Sequence, residues 1–233
     1  NEGYIKRVPY RSYSSSNGED TLLKENDYTI GMYNINTTDV MLLFTNLGNY
    51  LYLPVYDIPE CKWKDLGKHI SNIIPLMDNE KIVYSMFVSD FDEEKYITSF
   101  SKNGMIKRTL LSEFKAQRYS KPIKMMNLKD GDEIVSVTDS SDSEIFIATS
   151  CGYGLWYDVS EVPVVGIKAA GVKSINLKDD YVVSGILFNA GSEYITILTD
   201  KGTGKRVKLL EFEKTSRAKR GILLMKVIKS NPS

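Results

Sequence analysis

One unit recurs along this chain and limits what it can fold into: a short apolar strand, then Ser or Thr, two more residues and a glycine. The copies are Thr45-Asn46-Leu47-Gly48, Ser101-Lys102-Asn103-Gly104, Thr149-Ser150-Cys151-Gly152 and Thr199-Asp200-Lys201-Gly202. Gly3 fits as a fifth copy whose strand is cut off before Asn1. The glycines stand 45, 56, 48 and 50 residues apart. A period of this length marks units that cannot bury their apolar faces alone and must stack on one another. The glycine has a physical task, because a tight turn between antiparallel strands needs a positive φ. The preceding segments, 40–44, 96–100, 145–148 and 194–198, are rich in β-branched and aromatic residues, which suit strands.

A second motif follows each glycine by about half a period. It is an apolar residue, an acidic cluster and another strand: Leu23 to Asp27, Leu76 to Glu80, Leu128 to Asp132 and Leu177 to Asp180. A fifth copy starts at Met225-Lys226-Val227-Ile228, where the chain stops. Each unit therefore holds about four strands, the content of one propeller blade. The expected fold is all-β: a single domain over residues 1–233, a propeller-like disc of about five four-stranded blades, with an incomplete last blade that leaves the ring open. A short helical turn is allowed at 65–70. The chain reads as an excised piece of a longer protein.

Charge is neutral in sum and segregated in sequence. The formal net charge is zero. Residues 102–129 carry eight basic side chains against one acidic, and 201–229 carry ten against two. Residues 78–94 carry six acidic against one basic, and 130–144 carry six acidic and no basic. Equivalent positions of successive blades face the same way, so repeated basic segments gather into a belt. Such a belt suits a phosphate backbone and weakens steeply with salt. Three and four residues after the glycine stand Lys6-Arg7, Lys107-Arg108 and Lys205-Arg206, where copies two and four hold Leu51-Tyr52 and Leu155-Trp156. The candidate DNA-binding residues are these pairs with Arg11, Lys102, Lys115, Arg118, Lys121, Lys201, Lys208, Arg217, Lys219 and Arg220. The expected footprint is the rim of blades one, three and five. Glu at both 107 and 108 is expected to weaken DNA binding and leave the fold intact.

Units reading strand, [Ser/Thr]-x-x-Gly, x-x-Lys-Arg and an apolar–acidic step resemble the C-terminal domains of bacterial type IIA topoisomerase A subunits, over essentially the whole chain. Residues 11–18, Arg-Ser-Tyr-Ser-Ser-Ser-Asn-Gly, are not the Gln-Arg-Arg-Gly-Gly-Lys-Gly box of gyrase. The runs Trp63 to Ile70 and Ala169 to Leu177 are similar to the topoisomerase IV branch of a Gram-positive bacterium. The resemblance implies a β-pinwheel, whose blades exchange strands and whose rim binds and bends duplex DNA. It implies a DNA geometry presented to a catalytic core for decatenation and supercoil relaxation. The nucleophilic tyrosine, metal and ATPase would lie elsewhere, with the B subunit of topoisomerase IV as a partner met outside this chain. The setting implied is cytoplasmic and nucleoid-associated.

Other chemistry finds little support. His69 is the only histidine; a catalytic triad or a multi-histidine metal site would need it, but it stands beside Lys68 in an expected surface turn, which suits a structural or surface role. Cys61 and Cys151 lack C-x-x-C spacing, against zinc and in keeping with two reduced thiols. Gly202-Thr203-Gly204-Lys205 lacks full P-loop spacing and any following helix. Asp90-Phe91-Asp92-Glu93-Glu94 lacks the glycine and terminal Glu of a calcium loop. Trp63 and Trp156 suit packing better than base stacking. No apolar run reaches the ~18 residues that span a bilayer. The expectation is no cofactor, no membrane and no active site in this domain. The alternative function is a propeller that scaffolds protein partners without DNA.

Overall fold

The computed structural model describes residues 2–17 and 20–225. Within them lie β1 (Tyr4–Ile5), helix α1 (Tyr10–Ser14), β2 (Val40–Thr45), β3 (Asn49–Pro54), β4 (Lys68–His69), β5 (Ile82–Val88), β6 (Tyr96–Ser101) and β7 (Met105–Leu110). Then follow β8 (Ile123–Lys124), β9 (Ile134–Thr138), β10 (Glu144–Thr149), β11 (Tyr153–Asp158), β12 (Val172–Lys173), β13 (Val182–Phe188), β14 (Tyr194–Leu198), β15 (Gly204–Lys208) and β16 (Ile222–Leu223). The hairpins β2–β3, β6–β7, β10–β11 and β14–β15 sit where the repeat places them. All five turn glycines, Gly3, Gly48, Gly104, Gly152 and Gly202, take positive φ between 72° and 83°.

The sheets are not built from one repeat each. Their orders are β5-β2-β3-β8, β12-β7-β6-β9 and β13-β10-β11-β16, with two-stranded sheets β1-β4 and β14-β15. The fourth strand of every four-stranded blade therefore comes from the next repeat. The returning strands β5, β9 and β13 pack against one another, so they line the centre of the disc. The exchange strands β4, β8, β12 and β16 lie at the outer edge. Blades two, three and four are four-stranded; blades one and five are two-stranded among the described residues. No described strand of blade one pairs with blade five. The fifth acidic step, apart from Met225, lies outside the described residues.

Successive sheets bury their faces against each other. Leu42, Phe44 and Tyr50 of blade two pack with Ile97, Leu111, Phe114 and Val137 of blade three. Phe100 and Ile106 of blade three pack with Ile145, Leu155 and Tyr157 of blade four. Residues 65–69 are not a helical turn; a single 3-10 turn begins only at Ile70 (Ile70–Asn72). Lys68–His69 form strand β4, because the neighbouring blade's β1 offers an edge to pair with, and tertiary pairing overrides weak local preference.

The two motifs of the repeat meet here. Thr45 Oγ1 and Asn49 Nδ2 each donate to Glu80 Oε1 at 2.7 Å. Ser101 Oγ donates to Asp132 Oδ2 at 2.7 Å, and Ser150 Oγ donates to Asp180 Oδ1 at 2.8 Å. The same carboxylates accept backbone N–H groups of Met77, Asn103 and Cys151. Glu80 and Asp132 are buried. One acid per repeat is thus consumed in tying the returning strand to the turn. Asp132→Ala leaves the Ser101 hydroxyl and the Asn103 N–H without their acceptor. It is expected to lower stability by about 1–3 kcal/mol, read as a lower urea midpoint with an unchanged slope.

Candidate nucleic-acid interface

Neighbouring residues of a strand point to opposite faces, so the two members of a Lys-Arg pair cannot share one surface. In blades one and three the lysine faces the seam and the arginine the other side. Lys107 is 2% exposed. Its Nζ donates to the carbonyls of Met125 and Ile167, and burial pushes its pKa down to about 8. Leu51 and Leu155 hold the same place in blades two and four, fully buried. Lys6 repeats the arrangement, donating to the carbonyls of Trp63 and Asp65. Burial lowers its pKa, against the pull of Asp65. Lys205 donates to the carbonyl of Leu224 from an exposed position. These lysines tie exchange segments to the hairpins they cross. The expectation that both members of each pair face the rim fails at Lys107.

The arginines are held as well. Arg7 Nη1 pairs with Glu60 at 3.2 Å and its Nε donates to the Ile58 carbonyl. Arg108 lies 4.5 Å over the Tyr96 ring, with its Nε buried and unpartnered and its pKa lowered by burial. Arg206 repeats this stack over Tyr194 at 4.3 Å, on an exposed strand. Lys102 is half-buried over Tyr181 at 5.1 Å. Arg11 is exposed on α1, and Lys201 and Lys208 are exposed on the fifth hairpin.

The outer edge is formed by the segments leading into the exchange strands. Each is laid along the preceding blade by backbone bonds: Cys61 N to Arg7 O at 2.9 Å, Val165 N to Arg108 O at 2.9 Å and Thr215 N to Trp156 O at 2.9 Å. The corresponding segment on blade two is 115–122, ahead of β8. Its Lys115, Arg118 and Lys121, with Lys124 on β8, are all exposed, and no acid stands among them. On blade four, Lys219 is exposed and Arg220 lies 4.1 Å over the Tyr153 ring. Arg217 is half-buried there; its side chain donates to the Glu161 and Lys173 carbonyls, tying blades together. Lys214 is engaged by Glu144 and Asp158. The edge of blade one sets Lys62, Lys64 and Lys68 against Asp57, Glu60 and Asp65. That of blade three has only Lys168 and Lys173 beside Glu161.

Strand exchange thus lays an acid-free cationic run on the edge of blade two, and sets Lys219 and Arg220 beside Glu211 and Glu213 on that of blade four, while Lys201, Lys205, Arg206 and Lys208 stay exposed on the hairpin of blade five. Strand exchange moves the cations that follow each hairpin onto the blade before it. Lys124, the missed member of this set, carries one signal in sequence, its place between Lys121 and Lys129 in the basic stretch. Trp156 packs on Phe188 and its Nε1 donates to Glu144 at 2.7 Å, as expected for a packing residue. His69 Nδ1 lies 2.6 Å from Ser71 Oγ. Among the described residues no three metal-type side chains cluster. No described helix is long and apolar enough to cross a membrane.

Known proteins share this architecture. The DNA gyrase C-terminal domain, beta-propeller family matches at residues 39–89, 95–139, 143–189 and 193–229. The DNA topoisomerase 4 A subunit of Bacillus subtilis (strain 168) is 49% identical over 99% of this chain, which spans 29% of that relative. A crystal structure of the C-terminal domain of DNA topoisomerase IV superposes with a TM-score of 0.93 at 48% identity, covering 99% of this chain and 72% of that one. A DNA gyrase A C-terminal domain shares the fold, with a TM-score of 0.67 at 23% identity over 84% of this chain and 64% of that one. The chain thus belongs to the DNA gyrase C-terminal domain family of β-propellers, and within it is similar to the C-terminal domains of topoisomerase IV A subunits.

Proposed function

We propose that this chain binds duplex DNA without reading its sequence, along the outer edges of blades two and four, and bends it for a topoisomerase IV core. The observation that carries this is the run Lys115, Arg118, Lys121 and Lys124, laid on one edge by strand exchange with no acid among them. Lysines and arginines so placed contact phosphates, which position a duplex but do not specify its bases. Two separated cationic edges on a curved disc favour a duplex that follows the curve, since bending is offset by the second set of contacts. In this reading the chain contributes binding and geometry. Strand passage and ATP use belong to the rest of the enzyme, its B subunit included, in the bacterial cytoplasm at the nucleoid.

The test is binding of a short duplex across a salt series. Lys115, Arg118, Lys121, Lys124, Lys219 and Arg220 together predict a log-affinity against log-salt slope of about −5. A flat plot overturns the proposal.

A further inference from the structure

The seam between blades two and three is closed by aromatic rings. Tyr52 stacks on Phe91 with centroids 5.7 Å apart, and Tyr119, from the exchange segment, covers Tyr52 at 5.2 Å. The seam between blades four and five follows the same plan with the last rings missing. Trp156 stands where Tyr52 does, four residues after the turn glycine, and Phe212 stands where Phe114 does, three residues after a buried leucine. Counted back from β8 and β16, the place of Tyr119 falls to Ala218. The 189–193 loop has no aromatic residue at the place of Phe91; Phe188, at the end of β13, meets the Trp156 ring at 6.0 Å instead and lies outside the cleft lining. What remains is a cleft of about 280 Å³ lined by Phe146, Trp156 and Phe212 together with Thr215, Lys219 and Arg220. Phe146 and Phe212 meet edge to face at 5.7 Å, and the Trp156 ring is anchored by its bond to Glu144.

We propose that this cleft takes one nucleobase, with its phosphate on Lys219 and Arg220. Blade four then prefers DNA carrying an unpaired nucleotide to fully paired duplex. The proposal rests on the DNA-binding reading above. An aromatic ring closes the equivalent seam, so a planar ring system fits this one. The cleft lies just below the ~300–1,000 Å³ of drug-sized sites, a size for a single ring system. Aromatic walls accept any base, because every base has a π face. Glu213 also lines the cleft; its carboxylate disfavours a phosphate inside and leaves the interior to the ring. An unpaired base enters at less cost than a paired one, because it has less stacking and pairing to give up.

The same chemistry has two sources, an unpaired nucleotide of a DNA strand or a free mononucleotide. Trp63→Phe leaves Trp156 as the only tryptophan, since the chain has two. Its emission is followed as this variant is titrated with a paired duplex, the same duplex with a single-thymidine bulge, and thymidine monophosphate. The bulged duplex is expected to quench Trp156 and to bind roughly tenfold tighter than the paired one. Thr215→Tyr, which fills the cleft, removes the quench and the preference and leaves paired-duplex binding in place. Phe212→Leu keeps the seam apolar and lowers the preference severalfold. Quenching by the mononucleotide that Thr215→Tyr abolishes supports the same site with a free ligand. Equal affinities without quenching, or a preference that survives both substitutions, overturn the proposal and leave the duplex reading standing. A paired duplex that shows no salt-sensitive binding overturns that reading instead.

Discussion

Lys107→Glu is expected to destabilise the chain by about 3–5 kcal/mol. A carboxylate would then sit buried against the carbonyls of Met125 and Ile167, which now accept from the lysine. Any loss of DNA binding in this variant would accompany loss of the fold, seen as a collapse of the urea midpoint and of the β-sheet circular dichroism. Lys107→Met keeps the side-chain volume and adds no charge, as Leu51 and Leu155 do in blades two and four. Its cost is about 1–3 kcal/mol, for two carbonyls left without a donor. A pH dependence follows. The folded lysine has a pKa of about 8, below its ordinary 10.5, so between these values the unfolded chain binds more protons. Stability then rises with pH across that window. Below pH 8 both states are protonated and the dependence vanishes. The urea midpoint of the parent chain minus that of Lys107→Met is expected to climb from pH 8 to 10.5; a flat difference contradicts the assignment.

Neutralising Lys115, Arg118 and Lys121 together is expected to reduce the salt slope of DNA binding by about 3, close to one unit per phosphate contact. The fold should be untouched, because these side chains are exposed on the outer edge, away from the buried seams. Lys107→Met should change the slope by much less than one unit. The opposite ranking, with Lys107 mattering more than the blade-two cations, would return the footprint to blades one, three and five. Electrophoretic mobility shifts at several salt concentrations decide between the two.

Much of the architecture was legible because it rests on local chemistry. Each turn glycine of the repeat has the positive φ that its turn demands, and strands β6, β9 and β14 fall where apolar and β-branched runs placed them. The alternation of strand faces was also legible in principle. It alone separates Lys107 from Arg108 and sends the first into the seam. The link between Ser101 and Asp132 was hidden, since both motifs recur but nothing local says that one binds the other. The partners are 31 residues apart and meet only when the returning strand is laid beside the hairpin.

By itself the sequence determined the repeat, the all-β class, the turns and the segregation of charge, all set by backbone conformation and residue type within a few positions. Only the tertiary structure decided which blade each segment completes. An exposed strand edge is filled by whatever strand reaches it, and here the exchange strand of the next repeat fills the edge of the blade before. That one step moves Lys115, Arg118 and Lys121 from blade three to blade two, and Lys219 and Arg220 from blade five to blade four. The repeat foresaw a segmented cationic rim; strand exchange set part of it back by one blade.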